Sequence, residues 1–412
     1  MLLTVFILLL GIDEPKLADL HRIEAFEFEG NFKTKNSTIL RLSELHQGQQ
    51  VQASDIAEAR ERIISSGLFE SVECQTRTKQ NEITIKFTVE EKMSWFIAPG
   101  FQSSGGQLAF AGIFGESNFL GYGKKLLLFG DYGPELRRFV LAYRDEDILG
   151  SRYILDFDLL LRRDEMSDFE NREEIREVLV NDYGVRILPG IQWTPRLAGL
   201  IGVYYHDVHQ SLRSGNPPSK VSLKDGRDTA IAGELRYVDM KNFYGILDGW
   251  KTGLEMEAGS KSIGGNFNYY RQVLRFQGAM AFAARQMNWQ NHLSLSIGKD
   301  LPYYREFSSG GTNLRGYLSR QFRGDTKFGI GEELYFPIHE FEYVILRGTV
   351  FYNMNIIYFR SEGVGRDAWR NGAGSGVRLY LKSIAVPIVG FDAAWGFEDQ
   401  AYSTYLTIGA SF

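Results

Sequence analysis

The alternation of apolar and polar residues divides the chain into two regions of different period. Between residues 21 and 92, strand-like runs are separated by runs with helical spacing, in the order strand, helix, helix, strand, strand. The last strand is the clearest, because apolar and polar residues alternate from Ile83 to Val89. Earlier in this region, Asp55 and Glu58 predict a capping box at the start of the second helix. The region therefore predicts a small α/β module.

From residue 93 to the last residue, helical spacing gives way to alternation with a period of two. Residues 155–161 and 402–412, for example, place apolar side chains on one face and polar side chains on the other. This pattern predicts strands near 94–102, 106–114, 122–132, 136–144, 151–163, 179–193, 196–210, 228–240, 249–261, 267–284, 289–298, 327–337, 342–358, 372–382, 387–398 and 402–412. The predicted fold is mainly β, with the α/β module followed over 93–412 by a sixteen-stranded antiparallel transmembrane β-barrel.

The lengths of the predicted connections support a barrel. The long, charged or Gly/Pro-rich connections, at 164–178, 211–227, 299–326 and 359–371, all follow odd-numbered barrel strands. Connections after even-numbered strands are short. Long loops on the outer side and short turns on the inner side are typical of outer-membrane barrels. A soluble all-β protein could alternate in the same way, but it would not require this asymmetry.

The N-terminal residues 1–20 predict a secretory leader. The apolar run MLLTVFILLL is about half as long as the roughly 20 residues that a transmembrane helix needs, and it resembles the apolar part of a signal peptide. No basic residue precedes this run, and no small-x-small cleavage site follows it. No later segment is apolar enough for a membrane-spanning helix, so only a closed barrel would satisfy every backbone group in lipid.

Composition and motifs exclude several classes of protein. The net charge of −5 argues against nucleic acid as a partner, and the single cysteine, Cys74, excludes a disulfide framework. We expect Cys74 to be a buried small hydrophobic residue. His206 and His209 are interpreted as solvated residues at the rim of the barrel rather than as metal ligands, and no G-x-S-x-G nucleophile motif is present. We therefore expect no enzymatic activity, no cofactor and no metal.

The predicted loop 299–326 carries the candidate chemistry, because it is too long for a simple hairpin connection. It contains the sequence GGTNLRGY, in which Arg315 is followed by Gly316 and Tyr317. An arginine in a loop that folds back into a polar lumen suggests a guanidinium held by carboxylates. The alternation of their strands directs Glu333 and Asp392 inward, so they are the candidate partners. The alternative is that Arg315 is a solvated loop residue.

The α/β module resembles a polypeptide-transport-associated (POTRA) domain over 21–92. The matching segments are Phe28–Asn31 after the first strand, Ser65–Phe69 after the second helix, and Phe87–Glu91 at the end. The resemblance implies a sheet edge that accepts an extended peptide by β-augmentation. A spacer with the same fold is the alternative.

Most of the chain resembles the BamA/TamA-like insertase and translocase superfamily. The resemblance rests on Leu314–Tyr317, on Asn118–Gly123 between the second and third barrel strands, on Glu333–Pro337, and on the terminal Phe412. It implies a bacterial outer-membrane barrel, surrounded by lipid, that acts on unfolded client polypeptides, with the POTRA domain in the periplasm. Periplasmic accessory proteins and a homodimer stay open as further partners.

The chain departs from this superfamily in two ways. It has room for one POTRA domain where barrel-inserting members usually carry several, and Asn353 stands in an inward position where the superfamily usually has aspartate. The implied loop lock therefore consists of Arg315, Gly316 and Tyr317 in the loop with Glu333, Asp392 and Asn353 in the wall. One partner that the resemblance implies for Arg315 has therefore lost its charge at Asn353, which does not affect the implied fold.

The ends of the barrel suggest a mechanism. The first barrel strand contains Trp95, Pro99 and Gly100, and the last contains Gly409 and ends at Phe412. Proline removes a hydrogen-bond donor and glycine weakens a strand, so both favour a sheet edge. We hypothesise a weak seam there that opens sideways and templates a client strand. The alternative for Pro99 is that it faces away from the seam toward a bulge.

Two other functions are compatible with a barrel. One is a passive pore, which would give no role to residues 21–92 or to the Arg315 loop. The other is a membrane anchor, in some cases dimeric, for a patatin-like or other partner, since the superfamily includes single-POTRA barrels of that kind.

Overall fold

The computed structural model describes residues 20–79, 81–104, 107–170, 172–217, 223–243, 246–365, 368–381 and 387–408. The predicted leader, apart from Leu20, and the predicted seam residues Gly409 and Phe412 lie outside these ranges. The chain forms two compact units. The first ends at Trp95 and includes Glu116–Lys124, and the second consists of Phe96–Gly115 and the chain from Lys125 onward.

The first unit contains the α/β module. Its elements are β1 (His21–Glu29), α1 (Asn36–Ser43), β2 (Gln50–Val51), α2 (Ala53–Ser65), β3 (Phe69–Lys79) and β4 (Glu82–Glu91). The sheet order is β2-β1-β4-β3, with β1 and β4 parallel and the other pairs antiparallel. Ile39 and Ile63 from the helices pack with Ile85 and Phe87 of β4 in a core from which water is excluded. Burial of this apolar surface stabilises the module.

Two details of the module differ from the expectation. Helix α2 begins at Ala53, and the carboxylate of Asp55 accepts a hydrogen bond from the backbone N–H of Gln52 at 2.9 Å. The capping box predicted for Asp55 and Glu58 is therefore wrong by one turn, because Asp55 provides the acidic side chain of the box and not its N-cap. Cys74 is half-buried against the core, and this burial raises the pKa of its thiol to about 11.

The turn at 116–124 packs within the first unit through its backbone. The carbonyl of Gly121 accepts hydrogen bonds from the backbone N–H of Lys35 and from the hydroxyl of Thr38, each at 2.9 Å. The side chain of Asn118 donates to the hydroxyl of Thr34 at 2.8 Å. Gly121 has a φ of +82°, and a Cβ there would lie 2.1 Å from the carbonyl oxygen of Lys33, so only glycine fits.

The second unit is a closed barrel of sixteen antiparallel strands, which confirms the predicted fold. The strands are β5 (Trp95–Ser104), β6 (Gln107–Phe119), β7 (Lys124–Tyr132), β8 (Leu136–Asp145), β9 (Tyr153–Glu170), β10 (Glu173–Thr194), β11 (Leu197–Gly215), β12 (Gly226–Phe243), β13 (Ile246–Gly259), β14 (Tyr269–Phe282), β15 (Met287–Lys299), β18 (Thr326–Glu340), β19 (Val344–Tyr358), β20 (Trp369–Leu381), β21 (Pro387–Gly396) and β22 (Ala401–Ile408). Two short strands, β16 (Phe307–Ser309) and β17 (Phe322–Gly324), pair with each other between β15 and β18. No helix in the described ranges is both long and apolar enough to cross a membrane.

Apolar residues form a continuous row across the outer face of the barrel. Each member of this row is the register partner of the next: Leu235, Leu254, Leu274, Leu295, Phe328 and Ile356. Leu235 and Leu274 are each 41% exposed, and Leu295 is 38% exposed. A row of exposed and half-buried apolar side chains over six neighbouring strands is the lipid-facing surface expected of a transmembrane barrel.

One of the long connections predicted from charge is mainly strand, and a second, 211–227, begins as a continuation of a strand. Strand β9 continues to Glu170 and β10 begins at Glu173, so most of 164–178 is a hairpin, and β11 continues to Gly215. The ladder persists because its hydrogen bonds come from the backbone and the charged side chains find partners. The Asp168 carboxylate, for example, accepts a hydrogen bond from Arg176 of β10. The connection between β15 and β18 is a true loop of 26 residues, 300–325.

The lipid-facing row predicts the effect of a charge. Leu274→Arg should destabilise the barrel by about 2–4 kcal/mol, because it places a guanidinium in hydrocarbon. The measurement is the urea midpoint of reversible unfolding in phosphatidylcholine liposomes. Gln277→Arg is the control, since Gln277 lies on the same strand and lines the lumen. Equal destabilisation by the two substitutions would contradict the assignment of the outer face.

Candidate functional site

The loop between β15 and β18 lies inside the barrel. Its residues contact inward-facing side chains of β18–β22 on one side and of β9 on the other. A polar lumen wall makes this position favourable, because charged loop residues leave water only where charged partners replace it.

Arg315 is the centre of the contacts with β18–β21. Its guanidinium donates through Nε to Asn353 at 2.9 Å, through Nη1 to Asp392 at 3.3 Å and through Nη2 to Glu333. The guanidinium also lies 3.4 Å from the centre of the Phe351 ring, and Arg315 is only 4% exposed. The structure thus brings Arg315 together with the three wall residues that the sequence analysis named.

A second arginine balances the charge of this cluster. Arg378 of β20 donates to both carboxylate oxygens of Asp392, at 2.6 and 2.8 Å. The cluster therefore contains two guanidiniums, from Arg315 and Arg378, and two carboxylates, from Glu333 and Asp392. A neutral Asn353 completes the hydrogen bonding without adding a third negative charge. Buried charges are tolerated when they are paired in this way.

Glycines allow the loop backbone to approach the wall. Gly316 has a φ of +106°, and a Cβ on it would lie 2.5 Å from the backbone nitrogen of Gly396. A Cβ on Gly372 of β20 would lie 2.0 Å from the carbonyl oxygen of Arg315. Side chains at these positions would push the loop away from the wall and lengthen the hydrogen bonds of Arg315.

Tyr405 connects the loop to the last strand of the barrel. Its hydroxyl accepts a hydrogen bond from the N–H of Gly316 at 2.8 Å and donates one to the carbonyl of Tyr317 at 2.9 Å. Tyr405 is 3% exposed. Because it lies on β22, the loop is bonded directly to a strand at the closure of the barrel.

Tyr317 fixes the next position of the loop. Its hydroxyl contacts the carboxylate of Glu398, in the turn between β21 and β22, and lies 2.8 Å from the carbonyl oxygen of Asn371. Burial and the neighbouring Glu398 raise the pKa of the Tyr317 hydroxyl. Burial also acts to raise the pKa of Glu398, but hydrogen bonds from Tyr317 and Asn371 outweigh it and lower that pKa. The hydroxyl therefore stays the donor and the carboxylate stays the acceptor.

The far end of the loop is anchored to the opposite wall. Arg320 contacts Asp164 of β9 at 2.6 Å, and Arg323 contacts Glu306 at 3.0 Å and Asp168 of β9 at 3.5 Å. The loop thus crosses the lumen between two sets of ion pairs.

A cavity of about 670 Å³ remains beside the loop in the lumen. Its lining includes Arg315, Glu333 and Asn353 from the cluster, together with Lys251 and Lys327 from neighbouring strands. Both cations and a carboxylate therefore line this space.

The barrel closes where β22 pairs with β5. Within the described residues, this pairing runs from Phe101 opposite Ile408 to Ser104 opposite Tyr405. Pro99 and Gly100 lie on β5 just before the described pairing, and Trp95 is the first residue of β5. The predicted seam residues Gly409 and Phe412 lie outside the described residues.

Sequence reasoning missed Arg378, Phe351 and Tyr405 as members of the site. The signal for Arg378 and Tyr405 was their inward position in alternating strands, the same signal that identified Asp392. Nothing in the sequence distinguished them from the many other inward polar residues of the barrel, since their role depends on where the loop lies.

The interpretation of His206 as a solvated rim residue is wrong. His206 is 6% exposed, its Nδ1 lies 2.5 Å from the carboxylate of Asp182, and its ring stacks on Tyr204. The contact with Asp182, an inward-facing residue of β10, holds the His206 ring against the barrel wall. His209 is exposed. In the described part of the chain, no group of three or more His, Cys, Asp or Glu residues is placed to hold a metal ion.

Comparisons with known proteins agree with this architecture. An Omp85 superfamily domain model matches residues 118–412, and a POTRA model described as a surface antigen variable number repeat matches residues 21–92. No curated protein matches the chain.

Solved structures share the fold at low sequence identity. BamA from Haemophilus ducreyi lacking POTRA domains 1–3 is 17% identical with a TM-score of 0.65, over 95% of this chain and 85% of that one. CdiB from Escherichia coli is 14% identical with a TM-score of 0.71, over 95% and 76%. CdiB from Acinetobacter baumannii is 11% identical with a TM-score of 0.64, over 96% and 74%.

The domain match covers most of the chain, and the described barrel with its α/β module has the matching architecture. This supports a role as an insertase or translocase in the bacterial outer membrane, with the POTRA module in the periplasm by analogy with the family. The chain belongs to the Omp85 superfamily of outer-membrane β-barrels, and it carries a single POTRA domain.

Proposed function

We propose that this protein is an outer-membrane assembly factor, without enzymatic activity, that inserts or translocates polypeptides through a lateral seam between β5 and β22. The observation that carries the proposal is the bonding of Tyr405 to the inward loop. This contact joins the Arg315 cluster to the strand that would have to move for the seam to open.

The composition and pairing of the seam support opening at this place. In the described residues, β5 and β22 pair at four positions, whereas β21 and β22 pair at eight. Pro99 lacks an N–H group and Gly100 has no side chain to pack, so both weaken β5 as a partner. Each backbone group left unpaired in lipid costs several kcal/mol, so a strand pair with fewer hydrogen bonds opens more readily than one with more.

An open seam would expose the edge of β5. An unpaired strand edge accepts an extended segment by main-chain hydrogen bonding, which would let a client strand pair with β5 and then move into lipid. In this mechanism the loop holds β22 in the closed position through Tyr405, and Arg315 holds the loop.

The two alternative functions make different predictions in the same assays. A passive pore would conduct ions steadily after deletion of residues 21–92. A membrane anchor would neither conduct nor accelerate the folding of clients, and it would be recovered with a partner or as a dimer in detergent. Acceleration of client folding by the intact protein supports the proposal against both.

The first test removes the central cation of the loop. Arg315→Ala should free the loop, because loss of one partner from a buried charge cluster costs about 3–5 kcal/mol. We expect slower folding of an unfolded barrel client into liposomes that contain the protein, together with faster protease cleavage of the loop. Arg227→Ala, at an exposed position outside the cluster, is the matched control. Wild-type rates for Arg315→Ala would exclude a role for the lock.

The second test closes the seam covalently. Ser103 and Leu406 are register partners across it, so Ser103→Cys with Leu406→Cys allows a disulfide to form. Oxidation should abolish client folding and reduction should restore it. The control is Ala393→Cys with Thr404→Cys, which staples β21 to β22 one strand away. Full activity of the oxidised seam variant would end the lateral mechanism.

The third test separates the loop from the seam strand. Tyr405→Phe keeps the ring but removes both hydrogen bonds, each worth about 1 kcal/mol. Backbone amides of 401–408 should then exchange with deuterium on the order of tenfold faster or more in liposomes, while those of 387–396 change less. Tyr402→Phe, on the same strand but 76% exposed, is the control. If exchange in β22 were unchanged, Tyr405 would not hold the strand.

A further inference from the structure

Two Arg-Arg pairs occupy neighbouring strands near one end of the barrel. Arg137 and Arg138 lie on β8, and Arg162 and Arg163 lie on β9. Because side chains alternate between the two faces, each strand directs one arginine into the lumen and the other outward. The register places Arg138 opposite Arg162 and Arg137 opposite Arg163, so like charges meet on both faces.

The inward arginines have carboxylate partners. Arg138 contacts Asp131 of β7 at 2.6 Å, and Arg162 contacts Asp182 of β10 at 3.0 Å. The repulsion between these two arginines is therefore offset inside the barrel wall.

The outward arginines have no such partners. Both are exposed, and neither forms an ion pair with a described carboxylate. Arg137 instead lies 4.7 Å from the centre of the Tyr132 ring. The nearest outward carboxylate along β9, Glu165, pairs with Arg213 at 3.6 Å. Like charges directly opposite each other on adjacent strands are destabilising. Among the described residues, no carboxylate offsets this repulsion between Arg137 and Arg163.

The position of the pair indicates where the counter-charge comes from. The next outward row toward the middle of the barrel consists of Phe139, Leu161 and Tyr183, which are 38, 41 and 48% exposed. The arginines therefore lie at the edge of the lipid-facing band. They lie at the barrel end opposite the start of β5. If β5 is counted as the first barrel strand, the connections after odd-numbered barrel strands lie at this end, which is the outer side of the membrane.

We propose that Arg137 and Arg163 bind a phosphate group of an outer-leaflet lipid. The planar guanidinium donates two parallel hydrogen bonds to phosphate oxygens, and two guanidiniums on adjacent strands can hold one phosphate between them. The aromatic ring of Tyr132 orients one of them at the level of the headgroups, where aromatic residues of barrels concentrate. This site is independent of the seam and of the loop.

The test measures lipid binding directly. Purified full-length protein, in detergent micelles, is titrated with lipid A, a phosphorylated glycolipid, and the bound lipid is counted by native mass spectrometry. Arg137→Gln with Arg163→Gln should weaken binding on the order of fivefold per arginine. Each single variant should show an intermediate loss. Arg196→Ala is the control, because Arg196 is an exposed arginine that already has a partner, Asp239. Heat-modifiable gel mobility confirms that each variant is folded.

Two further arms decide the chemistry. Dephosphorylated lipid A should bind wild type no better than it binds the double variant. Inorganic phosphate should compete only weakly, because it lacks the acyl chains that contact the apolar row. Equal affinity of wild type and double variant for lipid A would overturn the proposal, and so would full competition by inorganic phosphate, which would indicate a site for a free anion.

Discussion

The structure depends on one constraint, that every backbone N–H and C=O group within hydrocarbon must have a hydrogen-bond partner. A sheet of sixteen strands meets it only by closing on itself, so β5 and β22 must pair whatever their sequences are. Closure is completed by the pairing of β22 with β5, which extends over four positions in the described residues. In the proposed lateral mechanism, the requirement that makes the barrel stable in lipid also determines the place where it opens.

The lumen follows a second constraint, the balance of charge. The loop crosses the barrel between two walls. Its Arg315 pairs with Glu333 of one wall, and its Arg320 pairs with Asp164 of the other. Around Arg315 two positive and two negative groups are in contact, and this balance explains how Asn353 can stand where a carboxylate was expected. A third carboxylate would leave an uncompensated buried charge, which costs more than a lost hydrogen bond.

The sequence was sufficient to predict the fold because successive residues of a barrel strand alternate between the lumen and the lipid. Alternation with a period of two identified all sixteen strands, and inward parity identified Glu333 and Asp392. It failed where charge was taken as a sign of a loop, since 164–178 forms a hairpin whose carboxylates pair with arginines across the strands. It also could not identify Tyr405 or the burial of His206. Their environments come from a loop and a neighbouring strand that are distant in sequence, and local patterns carry no information about such contacts.

Tyr405 shows how the two constraints meet. A hydroxyl that both donates and accepts can satisfy an N–H and a C=O of the loop at once, whereas a charged side chain on β22 would require a further counter-charge beside the Arg315 cluster. The bond is neutral and modest in energy, so it can be broken without leaving an unpaired charge in the wall. In the proposed mechanism, a strand held by such a contact stays closed at rest and separates when hydrogen bonds to an incoming strand offset those that it loses. A neutral contact of this kind is compatible with the repeated opening that the proposal requires.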